Sequence, residues 1–263
     1  MSTLTEAQIV ELAEHLEQAE LQTQPVVKIT DQYPEMDYDD AYDVQDRIRQ
    51  QKESRGIRTV GLKMGLTSFA KMKQMGVDSP IFGFLPETAH CPDGGEIATD
   101  GLIHPKVEAE VAFVTRTVLR GPNCTAEAVR EATDFVVAAL EIIDSRYENF
   151  RFDLRSVVAD NTSVSRYVSG SRIAGIADVD LRSMGVVLEK NGEIAQTGAG
   201  AAVLGDPAES VAMLANMLAE RDQFIPAGTF VLTGGITAAV PVEKGDAITA
   251  RYQGLGAITV RFV

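Results

Sequence analysis

The sequence predicts an α+β protein with a helical N-terminal section and a strand-rich body. Apolar residues recur at helical spacing in the first 57 residues, whereas short β-rich segments separated by Gly, Pro and Asn follow from residue 58. The body lacks a regular alternation of strands and helices, which argues against a doubly wound parallel sheet. We therefore expect a helical section over 1–57 and a β-rich catalytic domain over 58–263.

Two helices are expected in the N-terminal section. Thr5 and Gln8 form a capping-box pattern, and Asp37 is placed to cap a second helix that Gly56 closes. Each cap precedes an apolar face at helical spacing, made by Ile9, Leu12, Ala13 and Leu16 in the first helix and by Ala41, Val44 and Ile48 in the second. Both helices are therefore expected to pack on the rest of the protein.

The body is expected to form strands and hairpins joined by a few helices. Asn191-Gly192 is a strong signal for a two-residue hairpin, and a second hairpin is expected around 254–256. Helices are predicted over 68–75, from 125 to about 140, and over 207–221. The predicted strand segments are TVGLKMGL, IFGFL, VEAEVAFV, ALEIID, GVVLEKNGEIAQTG, TFVLTGG and DAITARYQGLGAITVRFV.

Composition and charge narrow the classes of partner. The 263 residues carry a formal charge of -14, which disfavours binding to nucleic acid or to an anionic membrane. Cys91 and Cys124 form no disulfide or zinc pattern, and no run of about 18 apolar residues or secretory signal is evident. We expect a cytoplasmic protein whose partners are small molecules or other proteins.

Glu108 and Glu110 stand two residues apart in the apolar stretch IHPKVEAEVAFV. Side chains alternate faces along a strand, so both carboxylates project from the same side. A half-exposed strand with a polar face that begins at Lys106 is the ordinary explanation. However, Ala112 and Val114 continue that face, and two like charges at this spacing repel unless a cation lies between them.

Glu141 is a lone carboxylate within the apolar stretch VVAALEIID. It lies either on the surface at the end of the preceding helix, or at the start of a strand beside residues 107–114. In the second case it converges with Glu108 and Glu110, and such hard oxygen ligands suit Mg²⁺ or Mn²⁺. We therefore expect these three glutamates to hold a divalent metal ion.

Lys63 lies between apolar and glycine residues in VGLKMGLTS. A lysine in a strand often extends to solvent, but beside a metal-bound anionic substrate it would act as a charge clamp or as a proton donor and acceptor. The segments VVADNTSVSRY, with Ser163, and LTGGIT, with Thr237, offer hydroxyl and backbone donors, although an ordinary turn also explains each. The absence of Gly-x-Ser-x-Gly, Walker A and G-x-G-x-x-G motifs disfavours a serine hydrolase and nucleotide use.

Six stretches form a pattern that covers nearly the whole chain: VGLKMGLTS, MGVDSPIFGFL, HPKVEAEVAFV, ALEIIDSRYENFRFDL, VADNTS and AGTFVLTGGITAAVPVEKGD. This pattern resembles the hydratase and decarboxylase branch of the fumarylacetoacetate hydrolase superfamily. The resemblance implies a mixed β-roll body and a Mg²⁺ or Mn²⁺ ion on Glu108, Glu110 and Glu141. It also implies catalytic roles for Lys63 and Asp78 and substrate contacts for Leu66, Ser163 and Thr237.

Members of this branch act on 2-oxo acids in the meta-cleavage degradation of aromatic compounds. The stretches SRYENFRFDLRSVVADN and KMGLTSFAKMKQMGV are more similar to enzymes that decarboxylate 2-oxohex-3-enedioate than to those that hydrate 2-hydroxypenta-2,4-dienoate, which is the alternative. Hydrolytic relatives use an early histidine, and no good candidate lies between residues 16 and 89. A third interpretation is a non-enzymatic protein whose carboxylates bind a structural cation or pair with basic residues in an oligomer interface.

If the protein is a decarboxylase, the sequence also predicts its partners and one further substrate-binding residue. The substrate is a small 2-oxo dicarboxylate, and Lys106, Arg146 or Arg151 is expected to position its departing carboxylate. The resemblance implies a homo-oligomer and allows for a complex with the pathway hydratase that receives the product. Exposed strand edges are in line with such assembly.

Overall fold

Two long helices precede a strand-rich body along the chain. The computed structural model describes residues 3–69, 72–73 and 79–263. In these residues the α-helices are α1 (Glu6–Leu21), α2 (Tyr38–Ser54), α3 (Ala126–Ala132), α4 (Leu154–Ala159) and α5 (Pro207–Ala219). The strands are β1 (Thr59–Gly65), β2 (Ile81–Pro86), β3 (His90–Pro92), β4 (Glu96–Ile97), β5 (Lys106–Thr115), β6 (Thr133–Ile143), β7 (Val164–Ala174), β8 (Gly185–Lys190), β9 (Glu193–Ala199), β10 (Phe230–Leu232), β11 (Val240–Pro241), β12 (Ala247–Tyr252) and β13 (Gly256–Phe262). This mixture confirms the predicted α+β class.

The two N-terminal helices begin at the caps that the sequence predicts. Thr5 and Asp37 each form a complete capping box with the residue three positions later. The apolar faces of α1 and α2 pack with β2, α4 and the fully buried ring of Tyr147 in one hydrophobic cluster. The helices therefore cover one side of the strand-rich body, and the division at residue 57 stays a prediction.

The larger sheet has the strand order β2-β1-β10-β5-β6-β7-β3, and β11 also pairs with β5. Strand β5 pairs antiparallel with β6 along its whole length, and β6 pairs antiparallel with β7. Strand β1 reaches β5 through the short strand β10, with which it is parallel. Because β5 and β6 lie in the middle of the sheet, nearly all of their side chains are buried.

The smaller sheet has the order β4-β13-β12-β8-β9 and contains both predicted hairpins. Asn191 and Gly192 join β8 to β9 with positive φ angles of 55° and 84°, as a type I′ turn requires. The second hairpin joins β12 to β13. The Tyr252 hydroxyl of β12 donates a hydrogen bond to the Ala139 carbonyl of β6, 2.5 Å away, which ties this sheet to the larger one.

The predicted helix from 125 to about 140 is wrong in its second half. Helix α3 ends at Ala132, and β6 begins at Thr133. Residues in the middle of a sheet are apolar on both faces, so the run FVVAALEII carries no period that separates a strand from a buried helix. Glu141 consequently lies near the end of a long strand, not at the start of a short one.

Several elements lie where no strand or helix was predicted, among them the short strands β3, β4 and β11. Residues 164–174 form β7, and residues 154–159 form α4. The predicted helix over 68–75 lies partly outside the described residues. Among the described helices, none combines the length and the apolar character that crossing a bilayer requires.

Candidate metal centre and active site

Three glutamates meet on one face of the larger sheet. Strand β5 carries Glu108 and Glu110, and the register of the sheet places Glu141 of β6 directly opposite Glu108. Ligand oxygens of the three side chains lie within 4.8 Å of one another. The period-two alternation of β5 and its pairing with β6 therefore bring the three carboxylates to one point.

These carboxylates are buried, and oxygens of two of them have no hydrogen-bond partner among the described residues. Glu108, Glu110 and Glu141 are 8%, 0% and 1% exposed. Burial, and after it the charge of Glu141, raises the pKa of Glu110 well above its ordinary value. Burial also raises the pKa of Glu141 against the opposing charge of Lys63. Glu110 Oε1 and Glu141 Oε2 have no hydrogen-bond partner among the described residues.

A glycine pair brings the backbone up to the carboxylates. The Gly234 amide donates a hydrogen bond of 2.8 Å to Glu110 Oε2, and Gly234 has a φ of 101° that few other residues adopt. A Cβ atom on Gly235 would lie 2.7 Å from Glu108 Oε2. The segment LTGGIT thus fixes two of the glutamates through close backbone contact.

Thr237 supports the strand between the two glutamates. Its hydroxyl oxygen accepts a 3.1 Å hydrogen bond from the Ala109 amide, and the Ile236 amide donates one of 2.8 Å to the Ala109 carbonyl. Ala109 separates Glu108 from Glu110 in β5. The predicted substrate-binding residue Thr237 therefore lies beside the candidate metal centre, where one of its lone pairs already holds the backbone.

Lys63 reaches the same place from β1. Its side chain is buried, and Nζ lies 3.0 Å from Glu141 Oε1 in an ion pair. Nζ also donates a hydrogen bond of 3.2 Å to the Thr162 carbonyl. The solvent-exposed alternative for Lys63 is thus wrong, and its ammonium group is held between a carboxylate and a backbone carbonyl.

The backbone that contacts Lys63 has an unusual conformation. Asn161, Thr162 and Ser163 have successive φ angles of 45°, 52° and 61°. The Asn161 side chain fixes this turn by accepting from the Phe84 amide and donating to the Phe84 carbonyl, at 2.9 and 3.0 Å. Among the described residues, the buried hydroxyls of Thr162 and Ser163 have no hydrogen-bond partner. Strain of this kind is retained where the surrounding structure enforces it, and it is common at active sites.

Two other predicted site residues, Leu66 and Asp78, come after β1 in the sequence. Leu66 has a φ of 56°, is half-buried, and packs in part against the cluster formed with the N-terminal helices. Asp78 lies outside the described residues. The roles of Leu66 and Asp78 therefore stay predictions.

The guanidinium group of Arg146 is occupied by partners within the protein. The residue is 4% exposed, and its guanidinium group pairs with the Asp160 carboxylate and donates to the carbonyls of Asp144 and Val164 at 2.7 and 2.8 Å. The suggestion that Arg146 positions a departing carboxylate is therefore wrong. Arg151 is exposed, whereas Lys106 of β5 lies on the same strand face as Glu108.

A cavity of about 680 Å³ is lined by residues 59–62 of β1 and by the segment that precedes β10. It contains none of the predicted site residues, and its charged lining groups are Arg49 and Asp222. Size alone therefore does not identify the active site, and the buried carboxylates mark it better.

The three glutamates fit a divalent cation. They supply carboxylate oxygens, which hard ions such as Mg²⁺ prefer, and two of these oxygens have no partner among the described residues. A buried group of negative charges is stabilised when such an ion neutralises it. Lys63 lies next to the ligand set and supplies a second positive charge.

Comparisons with known proteins agree with this geometry. The family model for the C-terminal region of fumarylacetoacetate hydrolase matches residues 59–263. The 4-oxalocrotonate decarboxylase of Pseudomonas sp. (strain CF600) is 60% identical over 261 residues, which cover 99% of each chain. The 2-oxo-hept-4-ene-1,7-dioate hydratase of Escherichia coli is 38% identical and covers 96% of this chain and 97% of its own.

A solved structure extends the likeness to the fold. The 4-oxalocrotonate decarboxylase from Pseudomonas putida G7, complexed with magnesium and adipate, superimposes with a TM-score of 0.99 at 58% identity over 100% of both chains. This match confirms the mixed β-roll body and the helical N-terminal section. Since the family model covers most of the chain and full-length relatives share more than half of its residues, the chain belongs to the fumarylacetoacetate hydrolase family.

Proposed function

We propose that the protein is a metal-dependent carboxy-lyase that converts 2-oxohex-3-enedioate to 2-hydroxypenta-2,4-dienoate and CO₂. The observation that carries this proposal is the convergence of three buried glutamates in a chain that is 60% identical, over its full length, to a 4-oxalocrotonate decarboxylase. Hydration of 2-hydroxypenta-2,4-dienoate is the second candidate. It rests on 2-keto-4-pentenoate hydratases that are 38% identical to this chain.

The reaction moves one electron pair along a conjugated path. The C5–C6 bond breaks, CO₂ leaves, and the electron pair passes through the C3=C4 double bond to the 2-oxo oxygen, which gains a proton. A divalent cation held by Glu108, Glu110 and Glu141 would stabilise the negative charge that develops on this oxygen. This path requires neither pyridoxal phosphate nor thiamine.

The chain's own residues prepare the site for this chemistry. Glu110 is fixed by the Gly234 amide, and Glu108 by its place opposite Glu141, so the ligand oxygens are oriented before substrate binds. Lys63 is held 3.0 Å from Glu141, where it orients the anionic substrate or moves a proton at the 2-oxo oxygen. The buried setting excludes water and strengthens each of these charge interactions.

We assign the other predicted residues by their position. Ser163 follows the Thr162 carbonyl that contacts Lys63, and its buried hydroxyl has no partner among the described residues. Thr237 and Leu66 lie beside β5 and at the end of β1, and we assign them to substrate contact. Asp78 is assigned a catalytic role on the sequence pattern alone.

Magnesium is the proposed ion, because a similar enzyme binds it and oxygen ligands suit it. Manganese fits the same ligands. We further propose a cytoplasmic homo-oligomer that takes part in aromatic hydrocarbon catabolism. A complex with the hydratase that consumes the unstable product would fit this role.

The direct test offers both substrates to the purified protein with Mg²⁺. We expect CO₂ release from 2-oxohex-3-enedioate, and no 4-hydroxy-2-oxopentanoate from 2-hydroxypenta-2,4-dienoate. EDTA should stop the reaction and Mg²⁺ should restore it. Formation of 4-hydroxy-2-oxopentanoate without CO₂ release would identify a hydratase, and turnover of neither substrate would support a structural cation site.

A further inference from the structure

A second lysine stands at the edge of the carboxylate cluster. Lys106 precedes Glu108 by two residues in β5, and it pairs across the sheet with Ile143, two residues after Glu141. Its side chain therefore leaves the sheet on the same face as the three glutamates. The Cα atoms of Lys106 and Glu108 are about 6.6 Å apart along the strand.

An aromatic platform holds the Lys106 ammonium group. Nζ lies 3.7 Å from the centroid of the Phe150 ring, and the His104 ring packs against the same phenylalanine with the centroids 4.8 Å apart. Asn149 and Phe150 have φ angles of 55° and 59°, so the loop adopts a strained conformation that places this ring. A cation above an aromatic face is attracted to it and is held in position.

Lys106 differs from Lys63 and Arg146 in having no acidic partner among the described residues. Lys63 and Arg146 form ion pairs with Glu141 and Asp160. Among the described residues, no carboxylate lies within ion-pair distance of Lys106, although the side chain is half-buried. Its three N–H donors are thus available to an external anion.

We propose that Lys106 binds the distal carboxylate of the substrate and so selects dicarboxylates over monocarboxylates. The inference rests on the proposed function, in which the C1 carboxylate and the 2-oxo group occupy the glutamate end of the site. One two-residue step along β5 is comparable with the separation between the two carboxylates of an extended six-carbon diacid. The Cα atoms of Lys106 and Glu108 are separated by about this distance, and both side chains leave the same face of β5.

The chemistry of the reaction favours a single lysine over a buried arginine as the group that binds the distal carboxylate. The distal carboxylate becomes neutral CO₂, so an interaction that holds its charge very tightly stabilises the substrate more than the transition state. A half-exposed ammonium group binds with moderate strength and loses its partner once CO₂ forms. Lys106 therefore contributes mainly to KM and lets the product, which lacks this carboxylate, leave.

Binding of adipate and hexanoate, measured by calorimetry with Mg²⁺ present, tests the inference. Both acids have six carbons, and only adipate has a second carboxylate. We expect Lys106→Met to weaken adipate binding by about 10- to 100-fold and to leave hexanoate binding unchanged. Lys106→Arg should retain the preference for adipate, and Arg151→Met, which removes an exposed cation from the same loop, should change neither affinity.

The outcomes separate this inference from the proposed function. If Lys106 only balances the charge of Glu108, then Lys106→Met changes both affinities alike, and the inference is wrong. Loss of the adipate preference in Arg151→Met alone also overturns it. If the wild-type protein binds adipate through Lys106 but does not decarboxylate 2-oxohex-3-enedioate, then the proposed function fails and the diacid site stands. In the active enzyme, Lys106→Met should raise KM more than it lowers kcat.

Discussion

Two groups of carboxylates in this protein are balanced in different ways. On α1, the buried Glu17 and the half-buried Glu20 face Lys52 of α2 and Arg55 just after it, with Lys52 Nζ 2.9 Å from Glu20. Burial alone would raise the pKa of Glu20, but the charges of Lys52 and Arg146 outweigh it, and the pKa lies below its ordinary value. At the candidate metal centre, burial and the neighbouring glutamate instead raise the pKa of Glu110.

The difference shows which acidic cluster requires a ligand. Where the chain supplies cations of its own, the carboxylates stabilise the fold and have no need of an ion. At the metal centre, oxygens of Glu110 and Glu141 lack partners within the described residues, so the charge is left for an external cation to neutralise. The same residue type is therefore paired with cations of the chain in one region and is a candidate ligand for a metal ion in the other.

The largest effect should follow from removing one charge at the metal centre. We expect Glu110→Gln to lower kcat/KM by about 10⁴-fold, because stabilisation by the cation is worth several kcal/mol. Glutamine still accepts the hydrogen bond from the Gly234 amide, so the variant should fold. Steady-state assays with saturating Mg²⁺ measure the loss, and Glu17→Gln is the matched control, with activity near that of the wild type. A Glu110→Gln enzyme with near-normal rates would contradict the ligand assignment.

An isosteric change in the buried Arg146–Asp160 ion pair should lower the stability of the fold. Asp160→Asn leaves the buried Arg146 guanidinium without its carboxylate, so we expect the free energy of unfolding to fall by about 3 to 5 kcal/mol. Urea unfolding of EDTA-treated protein measures it. Glu110→Gln should instead raise the stability of the metal-free protein, since it removes one of several crowded like charges. If both variants are destabilised to the same extent, the contrast between the two regions is lost.

Metal binding should stabilise the folded protein only when the three glutamates of the candidate metal centre are intact. At a Mg²⁺ concentration about 100 times Kd, we expect the free energy of unfolding of the wild type to rise by about 2.7 kcal/mol. The Glu110→Gln variant should gain much less. Thermal unfolding followed by circular dichroism, with and without EDTA, gives both values. An equal gain in both proteins would place the ion elsewhere.

The smallest effect concerns Asp153, another carboxylate with partners from the chain. Burial opposes its ionisation, but hydrogen bonds from Thr30, Ser156 and Lys28 lower its pKa. A lowered pKa stabilises the fold above the unfolded-state value of about 4, and this contribution is lost as the pH falls through the folded value. Asp153→Ala should therefore cost about 1 kcal/mol at pH 7 and less near pH 3. Urea unfolding at both pH values tests this, and a constant difference would contradict it.

The sequence predicted the acidic and basic residues of the candidate site better than it predicted the strands and turns that position them. Glu108 and Glu110 are two apart in an apolar strand, and Glu141 is a lone charge in an apolar run, so local patterns were sufficient to select them. Lys63 was also selected, although its burial depends on Thr162, which lies far away in the sequence. The alternation of apolar segments and hairpin signals likewise predicted both hairpins.

The features that could not be predicted from the sequence depend on contacts between segments that are distant in the chain. Residues 133–140 were predicted as a helix, because a central strand that is apolar on both faces has no visible period. Arg146 was one of three candidates for positioning the departing carboxylate, but it forms an ion pair with Asp160, which lies 14 residues later in the chain. A turn was considered for the segment that contains 161–163, but three successive left-handed residues were not predicted, because only Asn161 is of a type that favours this conformation.

Metal titration of the EDTA-treated protein tests the central claim most directly. Calorimetry with Mg²⁺, repeated with Mn²⁺, should give one site per chain in the wild type, with binding weakened about 100-fold or more in both Glu110→Gln and Glu141→Gln. The Asp160→Asn variant, where it remains folded, should keep the wild-type affinity. One site of unchanged affinity in both glutamate variants would show that these carboxylates do not hold the ion.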